Sequence, residues 1–159
     1  MISVPSSVAL GPIEAFMTED HARLDRLLRK AQRADSEIDT DACDALRRDL
    51  LRHIAMEEKV LLPFARAKRS GKPLPLARAL RADHGQIARL LVPTPTRPLL
   101  EALCALLGRH NALEEGPRGL YAICDALAEN ESSTIVARLA AQPAVPLAKH
   151  YDGPLLHTH

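Results

Sequence analysis

Residues 51–63, LRHIAMEEKVLLP, lie within a pattern whose apolar residues recur at the spacing of one helix face. The apolar members of that stripe are Leu46, Leu50, Val60, Leu61 and Phe64. His53 and Glu57 are four residues apart and fall on the same stripe, where a helical interior normally takes leucine. Burying a carboxylate costs several kcal/mol unless another group compensates its charge. The stretch therefore predicts a buried helix face that contains a compensating partner for Glu57.

Four long helical patterns, separated by short breaks, predict the fold. They cover about 13–34, about 41–69, about 76–91 and a fourth range that begins near Leu99. An Asp- and Thr-rich break separates the first two patterns, and Gly71 and Pro73 end the second. Because helices with short connections pack side by side in alternating directions, we predict an all-α, antiparallel up-down-up-down four-helix bundle.

The fourth pattern determines how the C-terminal part is divided. Its buried stripe is predicted to include Leu103, Leu106, His110 and Leu113, and it ends or kinks at Gly116-Pro117. Helical periodicity resumes over 120–127. Residues 132–141, SSTIVARLAA, predict a shorter helix before a proline-rich, extended tail. The predicted organisation is a bundle over 1–130, with the short helix and tail of 131–159 packing on it.

Composition excludes several classes of function. The net charge is +1 and the aromatic residues are two Phe, two Tyr and no Trp, so neither charge nor stacking favours nucleic acid. The sequence has no recognisable signal peptide and no apolar run long enough to span a bilayer. Cys43, Cys104 and Cys124 are odd in number and widely spaced, which favours reduced thiols in a cytoplasmic protein.

Histidines mark each of the four helical patterns. The candidate metal ligands are His21, His53, Glu57, His84, His110 and Glu114, with two of the histidines starting an H-x-x-x-E motif. A single histidine on an apolar face is usually a hydrogen-bonded core residue, and a single H-x-x-x-E is a weak signal. One histidine on every buried stripe, with two carboxylates at matching positions, is not expected by chance. The set predicts a metal site in the middle of the bundle.

The ligand types narrow the choice of metal. The absence of thiolates argues against a cysteine-rich zinc site, whereas imidazole with carboxylate suits iron, with manganese or zinc as substitutes. Six donors exceed the needs of one tetrahedral ion, and two glutamates suggest carboxylates that bridge two ions. The Glu-x-x-His motif of ferritin-like bundles is absent, because Leu50 and Leu107 occupy the required positions.

The order H, HxxxE, H, HxxxE resembles the hemerythrin-like HHE cation-binding family. The matching stretches are DHARLDRLL, HIAMEEKVLLP, DHGQIARLL and HNALEE, within 13–125. The resemblance implies a non-haem centre of two iron ions, bridged by two carboxylates and an oxo or hydroxo group. It assigns the four histidines as iron ligands and Glu57 and Glu114 as the bridging carboxylates.

The sequence also departs from oxygen-carrying hemerythrins. Ala88 stands where those proteins have a further histidine, and Glu115 stands where they have an aspartate, so Glu115 remains an alternative to Glu114. With fewer ligands, more coordination positions are open to dioxygen, nitric oxide or peroxide. The leading interpretation is a sensor, store or stress-response protein that binds such a small molecule.

Two other interpretations stay open. In the first, the chain is a di-iron enzyme that is either peroxidase-like or acts in iron-centre repair. The iron-centre repair proteins of this superfamily have a similar set of ligands. Alternatively it is a helical interaction module with a structural metal. No acid or base outside the ligand set supports turnover, so the residues favour binding over catalysis. An unknown protein partner is expected to receive any signal, and the oligomeric state is not predicted.

Several neighbouring residues receive weaker predictions. Asp20, Asp83 and Glu58 are each adjacent to a ligand and are expected to be solvated. Tyr121 is expected to pack at the end of the bundle, with a hydrogen bond to a ligand as the alternative. The tail, with His150, His157 and His159, is expected to cover one end of the bundle.

Overall fold

The computed structural model describes residues 9–33 and 37–154, and helices are the only regular secondary structure in those ranges. The helices are α1 (Pro12–Gln32), α2 (Thr40–Met56), α3 (Leu62–Lys68), α4 (Ala77–Leu90), α5 (Arg97–Glu114), α6 (Leu120–Ala128) and α7 (Ser132–Ala140). A π-helical turn, Glu57–Leu61, joins α2 directly to α3, and a short 3₁₀ turn, Glu129–Glu131, precedes α7. The prediction of an all-α bundle is confirmed.

Side chains close to the helix termini fix where the helices begin. Asp39 and Thr96 cap α2 and α5 by accepting hydrogen bonds from main-chain N–H groups. The N-terminus of α1 is capped from a distant helix, because the Asp125 carboxylate accepts from Ile13 and Glu14 at 2.9 and 3.0 Å. The predicted end of the first helix, Ala34, lies outside the described residues.

The π turn interrupts the second long rod beside the predicted site. The N–H of Leu62 donates to the carbonyl of Glu57, five residues earlier instead of four. Pro63 follows in the first turn of α3 and has no N–H to give to the preceding turn. The wider turn allows the rod to continue through the proline, and it begins at the buried Glu57.

Two apolar cores lie at opposite ends of the bundle. The first core consists mainly of Ile13, Met17, Val60, Leu61, Leu80, Leu120 and Leu139. The second core consists mainly of Leu24, Leu28, Leu46, Leu50, Ile87, Leu100 and Leu103. Helix α1 passes from the first core to the second, α2 returns, α4 passes to the second again and α5 returns. This alternation is the predicted up-down-up-down arrangement, and the histidines lie where the two cores meet.

The C-terminal elements pack on the bundle. Helix α7 places Ile135 and Leu139 in the first core. The tail then crosses α2, where Arg47 donates to the carbonyl of Ala148, and the Tyr151 N–H donates to the carbonyl of Val92. His157 and His159 lie outside the described residues. The expectation for Leu113 is wrong, because its side chain is 38% exposed at the last turn of α5.

No helix among the described residues combines the length and hydropathy that a membrane span requires.

Candidate metal centre

The structure brings all six predicted ligands into one buried cluster between the two cores. Their donor atoms form two groups that lie close enough to hold an ion each. One group contains His21, His53 and Glu114, and the other contains Glu57, His84, His110 and Glu114. Glu114 belongs to both groups, so its carboxylate lies between the two positions. We call these six residues the central cluster.

The four imidazole rings are oriented by carboxylates on neighbouring helices. The pairs are His53 Nδ1 with Asp20 at 2.7 Å, His84 Nδ1 with Glu58 at 2.8 Å, His110 Nδ1 with Asp83 at 3.0 Å and His21 Nδ1 with Glu115 at 2.7 Å. We call these four acidic residues the outer carboxylates. Because an ionised carboxylate only accepts, each Nδ1 carries a proton, and the Nε2 of a neutral ring then presents its lone pair to the cluster.

The outer carboxylates correct three of the sequence predictions. Asp20, Asp83 and Glu58 were expected to be solvated, but their side chains are only 11%, 24% and 31% exposed and each binds a histidine. Each of these acidic residues is adjacent in sequence to a ligand and so lies beside the ligand stripe of its own helix. From there its carboxylate meets the outer nitrogen of a histidine on a neighbouring helix. Glu115, the alternative ligand, contacts the outer nitrogen of His21, whereas Glu114 points into the cluster.

The electrostatics of Asp20, His53 and His84 agree with this division of roles. Although burial alone would raise the pKa of Asp20, hydrogen bonds from His53 and Arg23 lower it to about 2, so this carboxylate is ionised. Burial lowers the pKa of His53 and of His84, which keeps both imidazoles neutral and able to coordinate a metal.

The donor atoms are arranged for a cation. The Nε2 atoms of His21 and His53 face each other at 3.1 Å, where two lone pairs repel unless a positive charge lies nearby. His110 Nε2 and Glu114 Oε2 are 3.2 Å apart and are buried without hydrogen-bond partners among the described residues. Buried polar atoms without partners are rare in folded proteins. A metal ion at each position would satisfy them, so the residues present fit the predicted metal.

The pKa values of the two buried glutamates are shifted in opposite directions. Burial and the neighbouring Glu114 raise the pKa of Glu57 well above its usual range. Although burial acts on Glu114 in the same direction, the neighbouring Glu57, His110 and His21 side chains lower its pKa well below that range. A cation held beside both carboxylates would compensate their charge, and this is the kind of partner that the sequence requires for Glu57.

Tyr121, from α6, enters the central cluster instead of packing at the end of the bundle. Its side chain is fully buried, and its hydroxyl donates to Glu57 Oε2 at 2.9 Å. The same oxygen is 3.0 Å from His21 Nε2 and 3.1 Å from Glu114 Oε1. Burial, followed by the two carboxylates, raises its pKa well above the usual value. Of the two expectations for Tyr121, contact with the ligands is the one observed.

The comparison with known families agrees with this geometry. The sequence model described as the Hemerythrin HHE cation binding domain matches residues 13–124. The chain belongs to the hemerythrin HHE family. No curated protein and no solved structure matches it significantly. The matched range of this hemerythrin-like chain includes the whole central cluster as well as Tyr121, so family and site together indicate a metal-binding protein.

One cavity reaches the central cluster from outside. It has a volume of about 160 Å³ and lies between α1, α2 and α5 of the hemerythrin-like bundle. His21, His53, Glu57 and His110 line its inner end, and six leucine and isoleucine side chains form much of the rest of its walls. Cys104, Gly108 and Asn111 lie at its outer part on α5. Sequence patterns could not predict this cavity, because it depends on how three helices pack.

Proposed function

We propose that this chain is a non-haem iron protein that holds two iron ions in the central cluster and binds O₂, NO or peroxide there. The observation that carries the proposal is the shared position of Glu114 between two groups of donor atoms. A carboxylate with one oxygen toward each group is suited to bridge two ions. Glu57 supports the same arrangement, because its Oε1 is 3.1 Å from His84 Nε2 and 3.7 Å from His53 Nε2.

The donor set determines which metal the proposal names. His21 and His53 would hold one ion, His84 and His110 the other, and Glu57 and Glu114 would contact both. Four imidazoles and two carboxylates without thiolate suit iron, with manganese or zinc as substitutes. Bound iron would supply open coordination positions and a change of oxidation state, and Ala88 adds no further ligand.

The cavity supports a small and weakly polar ligand. Its walls are mainly apolar and its inner end reaches four side chains of the central cluster. Such a narrow and largely apolar passage suits a diatomic molecule better than a large polar substrate. The four outer carboxylates, the acidic side chains next to the cluster, are each hydrogen-bonded to one of its histidines. Binding, rather than turnover, is therefore the function that we propose.

Reaction of the reduced, iron-loaded protein with NO, O₂ and hydrogen peroxide tests this proposal. The optical spectrum should change in proportion to added ligand and saturate at a fixed number of molecules per centre. Continuous consumption of peroxide, far beyond the amount of iron, would instead favour the enzyme interpretation. No spectral change with any of the three would contradict the proposal.

A variant that narrows the cavity tests the route. A side chain added at Gly108 meets no atom within 4 Å of its Cβ, and this residue lines the cavity. We expect Gly108→Phe to slow NO association several-fold in stopped-flow measurements without changing the iron content. Gly85→Phe is the matched control, because Gly85 is also exposed on a helix with open space but lies outside the cavity. Equal association rates in both variants would exclude this route.

A further inference from the structure

The two groups of donor atoms are unequal. The group around His84 and His110 contains four residues, whereas the group around His21 and His53 contains three. Protein-held metal ions are usually bound by at least three or four side chains. Glu57 lies outside the smaller group, and its Oε1 is 3.7 Å from His53 Nε2. Even with Glu57 as a bridge, an iron ion there would accept a further donor, and the Tyr121 oxygen lies beside this position.

The Tyr121 oxygen has the position of a fourth donor. It lies 3.0 Å from His21 Nε2, 3.2 Å from His53 Nε2 and 3.1 Å from Glu114 Oε1. These separations match the 3.1 Å between the two imidazole nitrogens themselves. A metal that contacts the three other donors therefore also lies next to the phenol oxygen.

Hydrogen bonding alone does not account for the groups that surround the Tyr121 oxygen. One phenol carries one proton, and Glu57, Glu114, His21 and His53 all present acceptor atoms within 3.2 Å of its oxygen. Crowding several buried acceptors around one donor is unfavourable, because only one or two of them can be satisfied. A cation among the same atoms would be attracted to all of them.

The fold holds Tyr121 in place through both neighbours of α6. At Gly119, a Cβ would come within 2.4–2.5 Å of main-chain atoms of Glu114 and Glu115, so α6 begins tightly against the end of α5. Further along α6, Asp125 accepts from two N–H groups of α1, the helix that carries His21. The phenol is thus positioned relative to α1 and α5, two of the three helices that contribute to the smaller group.

We propose that Tyr121 is a metal ligand, whose phenolate oxygen completes the group of His21, His53 and Glu114. On ligation the phenol O–H bond breaks, the proton passes to solvent and an oxygen–metal bond forms, with no change of oxidation state. The inference rests on the iron centre proposed above. It makes the two metal positions chemically different, since an anionic phenolate stabilises iron(III) relative to iron(II) at one position only.

Spectroscopy of the full-length, iron-loaded, air-oxidised protein tests the assignment. Coordinated phenolate gives a visible charge-transfer band to iron(III), and resonance Raman excitation in that band enhances ring vibrations of the bound tyrosine. The chain has two tyrosines, and the other, Tyr151, is 48% exposed in the tail. We expect the ring vibrations in the wild type and in Tyr151→Phe, and their loss in Tyr121→Phe while iron remains bound.

Other outcomes distinguish this inference from the proposed function. Two irons per chain without phenolate vibrations, or vibrations that persist in Tyr121→Phe, would overturn Tyr121 ligation and leave the iron centre intact. Failure to bind iron at all would overturn both. If Tyr121→Phe does not fold, ring-deuterated tyrosine in Tyr151→Phe decides, because Tyr121 is then the only tyrosine. An isotope shift of the enhanced bands would support ligation, and unshifted bands would overturn it.

Discussion

The Nδ1 atom of each imidazole in the central cluster is hydrogen-bonded to an acidic side chain from another part of the bundle. The outer carboxylate fixes the tautomer, orients the ring and increases the basicity of the inward nitrogen. Asp20 and His21 are neighbours in sequence but serve different partners, because Asp20 binds His53 and Glu115 binds His21. The helices are therefore coupled through the site. A substitution of one outer carboxylate should change the orientation and basicity of a histidine on another helix.

At this scale, the prediction concerns Asp20→Asn. The amide removes the charge that orients His53, and we expect iron affinity to fall roughly 10–100-fold, the usual effect of losing such a partner. Competition with a chelator measures it. Glu19→Gln is the matched control, since Glu19 is exposed and adjacent. Arg23 keeps Asp49 as a partner at 2.6 Å in the variant. Equal affinities in the two variants would show that Asp20 does not support the ligand.

The sequence predicted the six candidate ligands but not the residues that support them. His53 and Glu57 were recognisable because polar side chains on an apolar stripe become buried, and burial is costly unless another group compensates them. Asp20 and Glu58 were not, because charged residues just off a stripe are normally solvated. Tyr121 was ambiguous for a different reason. The helical pattern breaks at 116–117, and the sequence does not specify the angle between α5 and α6 across that break. Only the packed structure supplies that angle.

At the scale of secondary-structure elements, the junction between α5 and α6 is the most constrained connection near the site. Gly116 has a φ of 85°, a conformation that glycine adopts more readily than other residues. Gly119 allows the main chain of α6 to approach Glu114 and Glu115. Sequence patterns place a break there. They do not reveal that the break positions a side chain of the next helix within the cluster.

Gly119→Ala tests the importance of this junction. The added methyl would overlap main-chain atoms, which cannot move as a flexible side chain can. We expect the free energy of unfolding of the metal-free protein to fall by about 1–3 kcal/mol. Gly85→Ala, in an exposed turn of α4 with open space, should instead raise it by roughly 0.5–1 kcal/mol. Urea denaturation measures both, and destabilisation of the same size in the two variants would contradict the proposed role of Gly119.

The π turn is the second local feature that sequence patterns did not reveal. A continuous helix over 41–69 was predicted, and the rod is continuous, but Glu57–Leu61 is wound more loosely. The apolar stripe passes through both windings with little change, so periodicity does not distinguish them. Pro63 was the available signal, since a proline inside a helical pattern requires a local change of hydrogen bonding.

At the scale of the whole molecule, the central cluster lies as a polar layer between two apolar cores. Helices α1 and α4 contribute to both cores, the rod of α2 and the π turn does the same, and α5 contributes to the second core. Each of the four long helices places a histidine between the cores. This arrangement was predictable because each of the four apolar stripes contains a histidine at a similar distance along its helix. Antiparallel packing then brings the four histidines to the same level of the bundle. The volume and walls of the cavity were not predictable, because they depend on distances between helices.

The central claim is that this layer holds two iron ions. Anaerobic titration of the metal-free protein with iron(II), followed by removal of unbound metal and determination of iron and protein, tests it most directly. We predict binding that saturates at two irons per chain, and a loss of at least one of them in Glu114→Leu, because this residue serves both positions. Saturation at one iron or none in the wild type, or two irons retained in the variant, would contradict the account.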